Sequence, residues 1–253
     1  QLDHYGVGRA HVRTIQGEER TSLALYETRV QDHQSVIYRN NAADFQMNLS
    51  DVESLDYSAF TALITAGTVF AAEPSRSAAF RAFELAKEAG IPIIFDVDYR
   101  PYSWSSPDEA ANVLSRAGGL SDVIVGNDEE FGFMAGGLEK GRAKARDLAA
   151  TSAEIVVYKM GQHGAVTFAS GEEIATGIYP VEAFKPTGAG DSFMAGFMAG
   201  LAEGRDMKSA MLRGSACASI VVSQEGCAPA MPDTEQLESF LLDHAGPTAG
   251  PTQ

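Results

Sequence analysis

The sequence predicts an α/β fold built around a largely parallel sheet, and two patterns lead to that prediction. From about residue 60 onward, apolar runs of strand length alternate with helical patterns, which is the order expected of βαβ units. Near the N-terminus, the runs 21–27 and 35–39 are strand-like and are joined by a polar turn, so we expect a β-hairpin or small lid sheet there. With 253 residues and 45% hydrophobic content, the chain can bury a substantial core.

Individual elements follow from local signals along the chain. Pro74 suits a first helical turn and Gly90 suits a helix end. Ser106 and Pro107 open the next helix, and Gly188 precedes a helix of small apolar residues. In order, we expect strands at 62–66, 91–97, 122–125 and 155–159, a meander punctuated by glycines 161, 164 and 171, and helices at 74–89, 106–117, 139–150 and 191–201. The predicted organisation is lid strands and connection over 1–45, an α/β nucleotide- and sugar-binding domain over 46–245, and a disordered tail over 246–253.

Charge and composition exclude several kinds of partner. The chain carries 19 Lys and Arg against 34 Asp and Glu, and the resulting net charge of −15 repels nucleic-acid backbones and anionic membrane surfaces. Its apolar runs fall well short of the roughly 20 residues of a spanning helix, and the first residues lack a signal-peptide pattern. The two cysteines, Cys217 and Cys227, have neither a disulfide framework nor metal-type spacing, so we expect reduced thiols in a cytoplasmic protein.

The strongest candidate for chemistry is the run KPTGAGDSF at 185–193. Glycines let a ligand approach the backbone, and a helix start offers free N–H groups and a positive dipole end, so the run suits a bound phosphate. No Gly-Lys-Ser/Thr follows, and Phe193 stands at the third glycine position of the dinucleotide fingerprint, so neither of those motifs is present. The alternative is a tight loop with Asp191 as a helix cap.

Thr-Gly-Ala-Gly-Asp followed by a small-residue helix resembles the signature of the ribokinase-like (PfkB) carbohydrate kinases, and the likeness extends over almost the whole chain. The resemblance implies a three-layer α/β/α fold with a mostly parallel central sheet and a small β lid. It also implies ATP-dependent phosphorylation of a sugar. In that reaction Asp191 is the base that takes the proton from the sugar hydroxyl, and Gly188, Ala189 and Gly190 hold the transferred phosphoryl group.

Further motifs are similar to the family's nucleotide and Mg²⁺ sites. The run from Asn127 to Glu130 resembles the family's Asn-x-x-Glu, which implies Mg²⁺ held by Glu130 and Asn127 through water. The same spacing is also a plain capping box. The run KMGQHG at 159–164 resembles the glycine loop beside the nucleotide, and a hairpin turn is its alternative. The resemblance implies nucleotide binding at Asn127, Lys159, Gly161, Gly164, Ser215 and Gly226.

One branch of the family is similar in several stretches: ERTSLALYETR, IYRNNAAD, DVDYRPYSW, VGNDEEF, PVEAFKPTGAGDSFMAGFMAGL and GCAPAMP. That branch phosphorylates the sugar acid 5-dehydro-2-deoxy-D-gluconate in myo-inositol catabolism. A sugar acid needs a cation for its carboxylate, and the candidates are Arg39 and Arg100, with Asp96 and Asp98 available to hold Arg100. Packing arginines with their stems on aromatic rings are the alternative. A kinase of 2-keto-3-deoxygluconate or another sugar, and a non-catalytic sensor of the same fold, stay open.

The sequence departs from the family at two places. Family members begin with a strand that carries a substrate-binding aspartate and with a Gly-Gly-x-x-x-Asn segment, and neither is present, so the resemblance implies that the N-terminal βαβ portion is missing from this chain. Lys185 stands where many members have an aspartate that binds a monovalent cation, so we expect the lysine ammonium to supply that charge. Family lids often pair with a second subunit, which makes a homodimer through the lid a further expectation.

Overall fold

A small two-stranded sheet lies near the N-terminus of the chain, whose residues 1–27, 34–244 and 246–251 are described by a computed structural model. Its strands, β1 (Leu23–Tyr26) and β2 (Ser35–Tyr38), pair antiparallel, with Leu23 opposite Tyr38 and Tyr26 opposite Ser35. The lid hairpin predicted from the sequence is confirmed. Its polar turn, residues 28–33, lies outside the described residues.

The central sheet has six strands that follow the order of the chain. They are β3 (Leu63–Ala66), β4 (Ile93–Asp96), β5 (Val123–Asn127), β6 (Ile155–Lys159), β7 (Ala165–Ala169) and β8 (Glu172–Thr176). Strands β3 to β6 are parallel, whereas β7 and β8 run antiparallel at one edge. The predicted parallel strands and the meander after residue 160 are therefore both present.

The helices in the described part of the chain are α1 (Leu49–Glu53), α2 (Ser75–Ala89), α3 (Pro107–Gly118), α4 (Asp128–Ala135), α5 (Gly141–Thr151), α6 (Ala189–Ala202), α7 (Met207–Val222) and α8 (Thr234–Asp243). Local signals account for several ends: Ser106 Oγ accepts from the Glu109 amide over 3.1 Å at the start of α3, and Gly90 ends α2 with φ of +71°. No periodic pattern predicted α1 or α4, because each is too short to show one clearly.

Helices cover both faces of the central sheet. Because successive residues of a strand point to opposite faces, neighbouring residues of β4 pack into different cores. Ile93 and Phe95 of β4 pack into a core shared with residues of α2 to α5. Ile94, between them, packs into a second core with Phe193 and Phe197 of α6 and with residues of α7. The three-layer α/β/α arrangement expected from the family resemblance is confirmed.

The chain after α8 runs beside the end of β8. The Thr248 amide donates to the Ile178 carbonyl over 2.7 Å, and Thr248 Oγ1 accepts from the Ile178 amide over 3.0 Å. The sequence predicts a disordered tail over 246–253, but these two bonds hold Thr248 of that segment beside the sheet. Residues 252 and 253 lie outside the described residues.

Two other sequence expectations concern thiols and membranes. Cys217 and Cys227 are both free thiols. In the parts of the chain that the structure describes, no helix combines the length and the apolar character needed to cross a bilayer.

Candidate active site

The candidate active site lies at the carboxyl edge of the central sheet, where three neighbouring parallel strands end in polar residues. Strand β4 ends at Asp96, β5 at Asn127 and β6 at Lys159, and the register pairs Asn127 with Lys159. Ligands of α/β sheets bind at this edge, outside the carboxyl ends of the strands. The start of α6 brings Asp191 to the same place, close enough that its charge acts on Asp96.

Residues 188–191 form a turn into α6 that we call the glycine cradle. Gly188 has φ of +88°, a left-handed conformation that favours glycine. The amide of Ala189 donates to the Pro186 carbonyl over 3.3 Å, whereas within the described residues the amides of Gly188, Gly190 and Asp191 have no acceptor. The cradle therefore presents free N–H groups together with the positive end of the α6 dipole, which suits a phosphoryl group.

Lys185 ties the cradle to the end of α7. Its side chain is fully buried, and Nζ donates to the carbonyl oxygens of Thr187 over 2.7 Å and of Val221 over 2.9 Å. Burial lowers the pKa of Lys185, since the carbonyl dipoles replace only part of its lost water. A cation is thus built into the turn that precedes the cradle.

Charged side chains surround the mouth of the cradle. Asp191 keeps access to solvent, yet the surrounding protein removes part of its water and raises its pKa, as does the charge of Asp98; Lys159 and Arg100 oppose this shift. Burial also raises the pKa of Asp96, and Lys159 again opposes the shift. The site therefore combines two carboxylates of raised pKa with cations that oppose the rise, Lys159 for both and Arg100 for Asp191.

Arg100 follows β4 and lies between two carboxylates. Its Nη2 is 2.5 Å from Asp98 Oδ1, and its Nη1 is 4.0 Å from Glu130 Oε1. Asp98 has φ of +35°, which a non-glycine residue rarely adopts, so the fold holds this partner in place against some backbone strain. Because 40% of the Arg100 side chain stays exposed, the guanidinium can still receive the carboxylate of a ligand.

Asn127 and Glu130 cap α4 reciprocally. Asn127 Oδ1 accepts from the Glu130 amide over 2.8 Å, and Glu130 Oε2 accepts from the Asn127 amide over 2.7 Å. The capping-box interpretation of this spacing is confirmed. Burial raises the pKa of Glu130 to about 7, with Lys159 opposing the shift. The second oxygen, Oε1, lies on the side of Arg100.

The donor set at this edge fits a hydrated magnesium ion. Across residues 1–27, 34–244 and 246–251, no three His, Cys, Asp or Glu side chains form a group that could hold a metal directly. Glu130 nevertheless offers a carboxylate oxygen beside Asp96, whose charge acts on it. Mg²⁺ commonly keeps several waters and binds through one or two carboxylates together with substrate phosphates, so these residues suit it.

Comparison with known families agrees with this geometry. The profile described as pfkB family carbohydrate kinase matches residues 1–234, which is most of the chain. The chain belongs to the pfkB carbohydrate kinase family. Two relatives of this kinase carry the same name, 5-dehydro-2-deoxygluconokinase. The one from Geobacillus kaustophilus (strain HTA426) is 36% identical over 253 residues, covering 98% of this chain and 76% of the relative. The one from Geobacillus thermodenitrificans (strain NG80-2) is 37% identical over 249 residues, covering 95% and 73%.

Solved structures of sugar kinases share the fold of this pfkB family member. A fructokinase from Vibrio cholerae O395, described as bound to fructose, ADP and calcium ion, matches with a TM-score of 0.83 and 26% identity over 95% of this chain and 79% of that chain. A fructokinase from Xylella fastidiosa with bound ATP matches with a TM-score of 0.85 over 96% and 79%, and its 20% identity shows the fold alone. The ribokinase-like fold expected from the sequence is confirmed.

Other predicted nucleotide positions of the kinase lie around the same edge or on α7. Gly161 and Gly164 flank a single turn between β6 and β7, so the hairpin alternative describes the local structure. A Cβ on Gly161 would meet nothing within 4 Å, which leaves room for a ligand. Gly226 follows α7 with φ of +81°, and Ser215, buried in α7, donates to the Gly177 carbonyl over 3.2 Å. Their roles at a nucleotide stay predictions.

Arg39 pairs with a carboxylate other than those at the strand ends of the kinase. It forms an ion pair with Asp44, and its guanidinium lies 4.3 Å from the centre of the Phe45 ring, so the packing alternative describes its contacts. The charges of Arg39 and Arg100 both act on Tyr102: partial loss of water raises the pKa of Tyr102, and the two arginines oppose this shift. Sequence reasoning missed Tyr102, although it lies in the same DVDYRPYSW stretch as Arg100.

Proposed function

We propose that this kinase transfers the γ-phosphoryl group of ATP to a sugar acid, and that 5-dehydro-2-deoxy-D-gluconate is its substrate, giving the 6-phosphate and ADP. The placement of Arg100 carries the proposal, because a half-exposed guanidinium held by Asp98 next to Asp191 suits the carboxylate of a bound acid. The names of two relatives at 36% and 37% identity support this choice of acid.

Asp191 acts as the general base in this proposal. Its raised pKa makes it a better proton acceptor for a sugar hydroxyl, and the positive charges of Lys159 and Arg100 favour its ionised form. The free amides of Gly188 and Gly190 donate to the oxygens of the phosphoryl group as its charge shifts in the transition state, and Ala189, whose amide bonds the Pro186 carbonyl only over 3.3 Å, joins them when that long bond is released. Positioning and charge stabilisation of this kind are the main demands of phosphoryl transfer.

Lys159 meets the phosphates from the β6 side. Its Nζ lies 3.5 Å from the position a Cβ would take on Gly190, next to the cradle. Asn127, Lys159, Gly161, Gly164, Ser215 and Gly226 would surround the nucleotide. Mg²⁺, when bound, neutralises charge on the phosphates; Glu130 and Asn127 would hold it through water.

The proposal includes independence from potassium. Lys185 Nζ already donates to two carbonyl oxygens next to the cradle, and carbonyl oxygens are the groups that an alkali cation would need there. Turnover should be the same in KCl and in a tetraalkylammonium chloride at constant ionic strength. A several-fold rise of the rate in KCl would show that a separate cation site exists.

The lid supports a homodimer. Its outer face carries Leu23, Leu25, Val36 and Tyr38, each between 41% and 60% exposed, and an isolated two-stranded sheet is only marginally stable. We expect the wild type to sediment as a dimer and Leu25→Glu to sediment as a monomer. Leu242→Glu, an equivalent change at an 85% exposed residue of α8, serves as control.

The substrate assignment is tested by ADP release with four candidates: 5-dehydro-2-deoxygluconate, 2-keto-3-deoxygluconate, fructose and ribose. The expected result is a kcat/KM for the first acid at least tenfold above the others. Preference for 2-keto-3-deoxygluconate would keep the sugar-acid class and replace the substrate. Equal or faster turnover of the neutral sugars would overturn the role of Arg100.

A further inference from the structure

A hydrogen bond joins the lid to the C-terminal part of the kinase. The Cys227 thiol donates to the Tyr26 hydroxyl oxygen over 3.8 Å, between residues 201 positions apart in the chain. Tyr26 ends β1 on the inner face of the lid, where it and Ile37 are half-buried, in contrast to the exposed outer face. This bond thus forms at the last residue of β1, whereas Ser22, just before the strand begins, donates to Asp44 over 2.9 Å.

The other side of Cys227 contacts the glycine cradle. Its Cβ and Sγ each lie 3.6 Å from the position that a Cβ would take on Gly188, the first residue of the cradle. Val221, whose carbonyl accepts from Lys185, lies on the same side at 3.1 Å from that position. Cys227 therefore packs against the cradle where a side chain on Gly188 would lie.

We infer that Tyr26 and Cys227 couple the lid to the glycine cradle, and that Tyr26 is a positioning residue for phosphoryl transfer. The inference rests on the proposed function, in which a closed lid excludes water from the phosphoryl group. When Tyr26 holds Cys227, the lid lies over the site while Cys227 supports Gly188. Releasing the bond lets the lid open and loosens that support, so sugar binding should weaken and water should reach the phosphoryl group more easily.

The expected effect is small, because a thiol is a weak donor. Tyr26→Phe removes only the hydroxyl and should raise the KM for the sugar acid by about two- to fivefold, with a similar rise in ATP hydrolysis measured without sugar. Cys227→Ala should have the same effect, and the double variant should be no worse than the more affected single variant. Tyr38→Phe, the same change on the outer face of the lid, should leave both quantities unchanged.

Hydrogen exchange separates failure of this inference from failure of the proposed function. Because a two-stranded sheet is marginal alone, undocking should show in the amides of Leu23–Tyr26 without any substrate. We expect both single variants to exchange about two- to fivefold faster there than the wild type and Tyr38→Phe. Unchanged exchange, or multiplicative effects of the two substitutions on KM, would overturn the coupling whichever sugar the kinase uses.

Discussion

Replacing Glu130 with glutamine should change how stability depends on pH, by an amount that follows from its burial. Burial raises the pKa of this carboxyl from an ordinary 4.5 to about 7. Between these values the folded protein holds a proton that the unfolded chain has released, so the free energy of unfolding of the wild type falls as pH rises. A difference of about 2.5 units, at 1.36 kcal/mol per unit, amounts to about 3 kcal/mol in total.

Glutamine preserves the shape of the side chain and can still accept from the Asn127 amide in the capping box. We therefore expect the free energy of unfolding of Glu130→Gln, measured with urea in EDTA, to rise relative to that of the wild type by about 2 to 3 kcal/mol between pH 5 and pH 8. Most of this change should occur below pH 7. Glu129→Gln is the control: it makes the same charge change at an exposed neighbour in the same helical turn, so it measures the effect of that charge on the helix dipole without burial. A constant difference between wild type and Glu130→Gln over this range would refute the reasoning.

Three other substitutions test the general base, the arginine that binds the substrate carboxylate, and the hydrophobic core. Asp191→Asn removes the base and one negative charge, so it should lower kcat by about a hundredfold or more without weakening ATP binding. Asp206→Asn, which makes the same change and keeps the cap of α7, is the control. Turnover of Asp191→Asn above a tenth of the wild-type rate would exclude Asp191 as the base. Arg100→Lys should raise the KM for the sugar acid by about tenfold at an unchanged KM for ATP, because lysine lacks the planar fork; equal KM values would contradict the carboxylate role. Phe95→Ala empties a fully buried position and should cost about 3–5 kcal/mol in urea unfolding, and a loss below about 1 kcal/mol would contradict its place in the core.

Local chemistry made much of the fold predictable from the sequence. Strand-length apolar runs predicted the strands, Gly90 predicted the end of α2, and Ser106 with Pro107 predicted the start of α3. These signals are visible in the sequence because capping and backbone freedom depend on near neighbours in the chain. The cradle was predictable for the same reason, since Gly188 has a left-handed φ and a helix start follows it. The short helices α1 and α4 lack the length that a periodic pattern needs.

The charge relations of the site were beyond sequence reasoning. Arg39 and Arg100 were equal candidates in the sequence, yet packing pairs Arg39 with Asp44 and turns Arg100 toward Asp98 and Glu130. The sequence by itself determined which residues have the chemistry for a sugar kinase and which segments form the strands and the longer helices. Only the tertiary structure decided which charges meet, because the distances between groups remote in the chain, and the burial that raises the pKa of Glu130, depend on how the parallel strands and their helices pack.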